Sequence, residues 1–292
     1  MKSMTAVFRE MLHSPGIIHA PIAYDPLTAK IAERVGFRAL DIGGYALGAS
    51  SCVPEPLLSL EEVAMATRRM TAAVSIPVMV DAGAGYGDAV HVIRTVQLLE
   101  QAGAAAMHIE DQVFPKRVHY HKGQEHVISA EEMCEKIRYA THSRRDLAFV
   151  IAARTDAMRT DGFAEGVRRA NLYAEAGADM IMIFPNSVEE ARQAPREIRA
   201  PLIYVNSEGN RLNRPIFGIR ELEDMGYKMA NDAISAITVM FNSVKELFVR
   251  LKETGQTGMD QEIFRTVRKE IEDTIGLEEY YRIEEKTVEN RS

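Results

Sequence analysis

The sequence predicts an α/β protein, a (β/α)8 barrel of the TIM type, from three observations. Short apolar, β-rich runs alternate with amphipathic helical patterns along the chain. The runs are apolar at successive positions, not alternate ones, as in parallel strands buried on both faces. Eight strand–helix units of roughly 30 residues each account for 292 residues as one large domain. An open doubly wound sheet would carry a Gly-rich phosphate loop after its first strand, and "YDPLTA" is not one.

The chain opens with "MKSMTAVFREMLHSPG", an amphipathic helix ended by Pro15 and Gly16. The expected strands are "GIIHAPIAY" (16–24), "RALDIGG" (38–44), "PVMVDA" (77–82), "AAMHIED" (105–111), "AFVIAARTD" (148–156), "DMIMIF" (179–184), "PLIYVN" (201–206) and "KMAND" (228–232). Helical patterns such as "LEEVAMATRRMTAAV" and "DAVHVIRTVQLLEQAG" separate them. Asp25 before Pro26 supplies an N-cap acceptor and a proline at the first helical position. Gly36, Gly103, Gly177 and Gly226 each follow a helix and precede a strand, where C-terminal glycine caps belong. The eighth strand feeds the long helix "AISAITVMFNSVKELFVRLKETG", and "DQEIFRTVRKEIEDTI" and "LEEYYRIEEKTVEN" follow as two more. On the first of these, Ile263, Phe264, Val267, Ile271 and Ile275 share one face, which needs a partner surface. Residues from about 255 to 292 are therefore expected to pack against a neighbouring subunit, as an extension of a single domain spanning 1–292.

Composition narrows the function classes. A net charge of -7 argues against a nucleic-acid binder, which would carry a basic face. No stretch approaches the ~18 apolar residues of a membrane span, and the N-terminus lacks the apolar core of a signal peptide. The two cysteines, Cys52 and Cys134, match no metal or redox spacing, so reduced cysteines in a cytoplasmic protein are expected.

In such a barrel the chemistry collects at the C-terminal ends of the strands. That rule selects Gly43 and Gly44, Asp81, Glu110 and Asp111, Arg154 with Thr155 and Asp156, and Asn206 with Glu208 behind it. Acids from adjacent strands, with no cysteine or histidine in either motif, point to a hard, oxygen-preferring cation: Mg2+, with Mn2+ as a substitute. Arg154 suits a substrate carboxylate held through two parallel hydrogen bonds. Gly43 and Gly44 would offer backbone N–H groups to a second anionic oxygen, and Lys116 would bring charge from a loop. That loop, "EDQVFPKRVHYHKGQEH", also holds His119, His121 and His126. Their spacing admits a zinc site, although a polar exposed loop explains it as well. His119 or His121 is a candidate proton donor, because imidazole titrates near neutrality; Tyr120 is another. His108 inside the fourth strand reads as a hydrogen-bonded barrel residue, and both cysteines read as packing.

Four motifs in order, "GGYALGASSCVPE", "VDAGAGYGD", "HIEDQVFPKR" and "VIAARTDA", resemble the isocitrate lyase and phosphoenolpyruvate mutase superfamily. The methylisocitrate lyase and carboxyphosphonoenolpyruvate mutase branch is nearest, and the resemblance covers roughly residues 5 to 285. It implies a barrel whose eighth helix is exchanged between neighbours, usually in a homotetramer. It also implies Mg2+-assisted chemistry on small carboxylates through an enolate-like intermediate. Carried over by position, Asp81 becomes the direct metal ligand and Glu110 the holder of a metal-bound water. Glu55 is the acid that follows the glycine-rich loop. Arg154, Gly43, Gly44, Tyr45, Asn186 and Asn206 become substrate-binding residues, and Lys116 belongs to a gating loop.

Departures from the family pattern shape the expected reaction. The metal motif usually reads Asp-x-Asp, and here it is Asp81-Ala82-Gly83. The lyases carry a loop cysteine where this chain has Val118, and a glutamate after the sixth strand where it has Asn186. Those two groups serve the second product of a retro-aldol cleavage. Their absence makes an oxaloacetate-type decarboxylase the expected activity, since carbon dioxide leaves without needing a proton. A methylisocitrate- or dimethylmalate-type lyase, a carboxyphosphonoenolpyruvate- or phosphonopyruvate-type phosphonomutase, and a non-catalytic carboxylate-binding barrel remain open.

Overall fold

The computed structural model describes residues 2–124 and 126–289, with the backbone alone at 121. Eight parallel strands form one sheet in the order β1-β8-β7-β6-β5-β4-β3-β2. They are β1 (Ile18–Pro21), β2 (Leu40–Ile42), β3 (Val78–Asp81), β4 (Ala106–Glu110), β5 (Val150–Arg154), β6 (Met180–Ile183), β7 (Leu202–Asn206) and β8 (Met229–Asp232). Each lies inside the stretch expected from sequence and is shorter, because the flanking residues turn into loops. β1 and β2 meet at a single bridge, Ile22 to Asp41, and the Ala23 N–H donates to the Asp41 carbonyl at 2.9 Å, which nearly closes the barrel.

Helix α1 (Met4–His13) precedes the barrel, and α2 (Pro26–Arg34) follows β1. The N-cap is as expected: Asp25 Oδ1 accepts from the Thr28 N–H at 2.7 Å. A short helix not anticipated from sequence, α3 (Gly44–Ser50), starts at the end of β2, ahead of α4 (Leu60–Ala73). Helices α5 (Ala89–Gln101) and α6 (Ala130–Ser143) follow β3 and β4. After β5 comes the single turn α7 (Ala157–Thr160) and then α8 (Phe163–Glu175). Helices α9 (Val188–Glu197), α10 (Ile219–Met225) and α11 (Ser235–Thr254) follow β6, β7 and β8. The four glycines expected to end helices all take left-handed backbone angles, with φ from 87° to 111°.

The strand period of two sorts side chains into layers. Met79, Ala106, Ala152, Met180, Met182, Ile203, Val205 and Met229 share one buried cluster. Their neighbours Val80, Met107, Ile109, Ile151, Ile181 and Leu202 pack in another, with the helices. Phe8 and Leu12 of α1 belong to the first cluster, so α1 packs against the inner layer. Continuing the inward period to the strand ends puts Asp81, Glu110, Arg154 and Phe184 on the inside. Register holds them level: Glu110 pairs with Arg154, and Asp81 with His108.

The chain divides into two compact units, the first running to Ile237 and the second starting at Thr238. The second holds most of α11, then α12 (Gln261–Thr274) and α13 (Leu277–Glu284). Ile263, Phe264, Val267 and Ile271 of α12, and Ile275 at its C-cap, are all exposed. Among the described residues no helix is long and apolar enough to cross a membrane. Both cysteines are free, Cys52 exposed and Cys134 buried.

Asp179 fastens the end of the barrel opposite the candidate site. It accepts from Arg9 of α1 at 2.6 Å, from Arg144 at 2.7 Å and from the Ile151 N–H of β5 at 2.9 Å. Asp179→Ala is expected to destabilise the protein by about 3 kcal/mol, read as a lower urea midpoint at unchanged slope.

Candidate active site

At the C-terminal ends of the strands lies a cavity of about 310 Å³. Asp81 closes β3, with Oδ1 accepting from the Gly83 N–H at 2.8 Å and Oδ2 from the Gly44 N–H at 3.2 Å. One of the two glycine N–H groups assigned to substrate is thus directed at Asp81. Behind Asp81, His108 bridges two acids, its Nδ1 at 3.7 Å from Asp81 Oδ1 and its Nε2 at 3.6 Å from Asp41 Oδ2. Asn231 donates to the same Asp41 oxygen. Burial works against the Asp81 carboxylate, but His108, Lys116 and Arg154 outweigh it and hold its pKa down to about 2.

Glu110 closes β4 and is 1% exposed. Lys116 Nζ lies 2.8 Å from its Oε1 and Arg154 Nη1 3.2 Å from its Oε2. Burial still keeps its pKa above the ordinary carboxylate value. Neighbouring Asp111 faces the helices and accepts from Thr155 Oγ1 at 2.8 Å, Tyr173 Oη at 2.8 Å and the Asp156 N–H at 3.0 Å. It braces the fold rather than the cavity.

The loop between β4 and α6 is tied at its base by an antiparallel bridge between Gln112 and Val127. From it, Lys116 and Tyr120 both reach Glu55, which accepts from each. Lys116 Nζ also sits 4.1 Å above the Tyr120 ring. Burial lowers the Lys116 pKa, but Glu110 and Glu55 overcome it and hold the pKa well above normal, so Lys116 is a fixed cation. Burial and the Glu55 carboxylate raise the Tyr120 pKa and keep its phenol protonated. A residue that sequence reasoning passed over, Lys136 of α6, is 2% exposed and donates to the Ala84 carbonyl at 3.2 Å. It supports the loop that follows Asp81.

The donor set fits Mg2+. Among the described residues no group of three or more His, Cys, Asp or Glu side chains is arranged to hold a metal. Mg2+, however, takes only one or two protein carboxylates and fills its remaining positions with water and substrate oxygens. Asp81, Glu110 and Glu55 offer oxygen alone, and the two buried Glu110 oxygens meet Lys116 and Arg154 as ion pairs without hydrogen-bond geometry. Gly44 leaves the space open: a Cβ there would lie 2.8 Å from Glu55 Cγ and 3.0 Å from Asp81 Oδ2.

The structure thus brings Gly43, Gly44, Tyr45, Glu55, Asp81 and Arg154 to one cavity, with Glu110 and Lys116 in direct contact with them. It does not bring Asn206, Asn186 or His119 there. The Asn206 side chain is spent on Phe217, donating to its carbonyl at 2.9 Å and accepting from its N–H at 3.3 Å. Asn186 is exposed and donates to the Met158 carbonyl at 2.9 Å. His119 and His126 are exposed, and the side chain of His121 lies outside the described residues. Tyr120 lines the cavity instead. Sequence reasoning also missed Phe184, Arg159 and Arg214, all on the cavity wall. The inward period of β6 carried a signal for Phe184; nothing in sequence marked the two arginines.

The chain is similar to known proteins over most of its length. The phosphoenolpyruvate phosphomutase family model matches residues 8–251. A 2-methylisocitrate lyase from Aeropyrum pernix is 40% identical over 280 residues, covering 94% of this chain and 88% of the relative. A 2,3-dimethylmalate lyase from Eubacterium barkeri is 36% identical over 283 residues, covering 96% of each. Among solved structures, a phosphonopyruvate hydrolase in complex with oxalate and Mg2+ superposes with a TM-score of 0.86 at 30% identity, covering 98% of this chain and 100% of that one.

The buried imidazole gives a pH signature. Burial disfavours a charged His108, but Asp81 and Asp41 outweigh it and raise its pKa. A raised folded pKa contributes stability that is fully present below the unfolded value of about 6.5 and is lost as pH rises through the folded value. In EDTA, the stability gap between wild type and His108→Gln is therefore expected to be widest near pH 5 and to narrow on the alkaline side. Urea titrations across pH check this, and a constant gap would contradict it.

Proposed function

The chain belongs to the phosphoenolpyruvate phosphomutase family, within the isocitrate lyase superfamily, and from that premise we propose that it is a Mg2+-dependent carbon–carbon lyase. Its substrate is a small 2-hydroxy di- or tricarboxylate, cleaved to a 2-oxo acid and a second carboxylate. The observation that carries this reading is Glu110, held between Lys116 and Arg154, with Arg154, Asp81 and Glu55 lining one cavity. The names of the 40% and 36% identical relatives point the same way.

Mg2+ held by Asp81, with Glu110 and Glu55 around it, would supply Lewis-acid polarisation of a substrate oxygen. The chain's own groups do the rest. Arg154 orients a substrate carboxylate, and Gly43, Gly44 and Tyr45 border the same volume. In the retro-aldol step the hydroxyl proton passes to the Glu55 carboxylate on the cavity wall, and the bond from the hydroxyl-bearing carbon to its neighbour breaks. The hydroxyl carbon becomes the keto carbon, and the electron pair passes to the departing carbon, where the adjacent carboxylate delocalises it. Lys116, fixed as a cation, stabilises that charge. The Tyr120 phenol, protonated and at the cavity, delivers the proton that completes the second product, and Glu55, its hydrogen-bond partner, returns the hydroxyl's proton to it.

A second reading, decarboxylation of a 2-oxo dicarboxylate such as oxaloacetate, is favoured by Val118 and Asn186. Both are exposed and stand away from the cavity, in place of the two groups the resemblance assigns to the second product. That reaction breaks the bond to the distal carboxylate, releases carbon dioxide and needs one proton on the pyruvate enolate. The proposal also includes a homotetramer with α11 exchanged between copies, supported by the exposed Val239, Met240, Phe241, Phe248 and Val249.

The test is 2-oxo acid formation, with Mg2+ and with EDTA, from 2-methylisocitrate, 2,3-dimethylmalate, oxaloacetate and phosphonopyruvate in parallel. Metal-dependent cleavage of a 2-hydroxy acid is expected. Release of carbon dioxide from oxaloacetate above the spontaneous rate, without such cleavage, would select the second reading, and turnover of phosphonopyruvate alone would sink both. Tyr120→Phe is expected to lower kcat about 100-fold, with His119→Gln close to wild type. Lys116→Ala and Arg154→Ala should each lower kcat/KM by about 100-fold or more.

A further inference from the structure

We propose that Arg214, seated against Phe184 beside Arg159, is a specificity residue that binds a second substrate carboxylate, one that the substrate keeps through the reaction. This rests on the reading of the cavity as a polycarboxylate site and names which polycarboxylates it takes.

Phe184 follows β6 and continues its inward-facing positions. Its ring carries three guanidinium groups, with Arg154, Arg159 and Arg214 at 4.5, 4.6 and 4.9 Å from the centroid. Two of them have carboxylates. Asp156 accepts from Arg154 at 3.1 Å and from Arg159 at 2.6 Å, and Glu110 lies 3.2 Å from Arg154. Arg214 has none within ion-pair distance among the described residues. It is 6% exposed. Its Nη2 reaches only the Val205 carbonyl, at 3.5 Å, and its Nη1 is buried without a hydrogen bond. Burial and the nearby Arg159 pull its pKa down to about 10, which still leaves it charged at neutral pH.

A cation buried beside two like charges, with donors unused, opposes folding. The surrounding chain nevertheless holds it in place. Asn210 clamps the Arg214 backbone, accepting from its N–H at 2.8 Å and donating to its carbonyl at 3.1 Å. On the other side Tyr204 donates to the Pro215 carbonyl at 2.6 Å. The guanidinium is therefore presented to the cavity by an anchored backbone, and the missing partner is an anion of matching shape. A carboxylate meets a guanidinium fork through two parallel hydrogen bonds.

The arginine also bears on which bond breaks. A carboxylate that leaves as carbon dioxide gives up its negative charge, and pairing with a guanidinium stabilises the charged form and slows that loss. The carboxylate held at Arg214 is therefore a spectator, as in the retro-aldol cleavage of a substrate with carboxylates on both fragments.

The experiment measures two properties of Arg214→Gln and Arg214→Lys in the full chain with Mg2+. Calorimetry gives Kd for oxalate, too small to span both arginine sites, and for propane-1,2,3-tricarboxylate. Thermal unfolding without ligand gives the cost of the unpaired charge. For Arg214→Gln, tricarboxylate affinity is expected to fall about 30-fold, with oxalate affinity within about twofold of wild type and Tm raised by about 2 °C or more. Arg214→Lys should recover part of the tricarboxylate affinity. A lower Tm, an equal loss for both ligands, or no loss for either would overturn the proposal. Wild type that binds oxalate but no tricarboxylate would overturn it and leave the polycarboxylate lyase reading standing. Wild type that binds neither would overturn both.

Discussion

A carboxylate taken out of water must find a cation or a proton, and the mouth of this barrel shields several of them. Asp41 and Asp81 share His108, Glu110 and Glu55 share Lys116, and Asp156 takes Arg154 and Arg159. Arg154 also serves Glu110, so two of these clusters are one network. The geometry follows from register: parallel strands held level put inward residues of neighbouring strands side by side, where opposite charges can meet. Much of the rest is support for that arrangement. Asp111 and Tyr173 lock the strand end to α8, Lys136 holds the loop after Asp81, and Gly44 exists where any side chain would strike Glu55 or Asp81.

The barrel was legible because its signals are local. Apolar runs, helix caps and glycines at helix ends are written in neighbouring residues, and all eight strands lie where those signals put them. Asp81, Glu110 and Arg154 were legible for a related reason, since a strand end is a place in the sequence. The short helix α3 had no amphipathic period to announce it. Side-chain commitments were harder still. Asn206 and Asn186 sit where substrate ligands were expected, but each amide is used by a backbone group brought near by a loop. The histidines attracted attention by type, whereas the 3₁₀ turn of residues 118–122 leaves His119 exposed and carries Tyr120 to the cavity. Arg214 belongs to "NRLNRP", which reads as a solvated turn until its neighbours are known.

The departure at Gly83 also looks different in three dimensions. Where the family pattern has a second acid, this chain has a glycine with φ +51, whose N–H donates to Asp81 and whose missing side chain would meet no atom within 4 Å. The position is vacant rather than filled by something else. Asp81 keeps a low pKa without that acid because His108, Lys116 and Arg154 supply the positive field. Fewer fixed anions beside a divalent cation leave more of its charge for the substrate.

Lys116 and Tyr120 grip the same carboxylate, and both ride on one loop whose base is tied by the bridge between Gln112 and Val127. A loop that lifted would remove in one motion the cation shared by Glu110 and Glu55 and the phenol aimed at the cavity. On the lyase reading, being shut and being charged for reaction are therefore a single state of the molecule. A carbanion formed in that state would meet the phenol before it met bulk water, so the order of events would be set mechanically: the proton first, the exit afterwards.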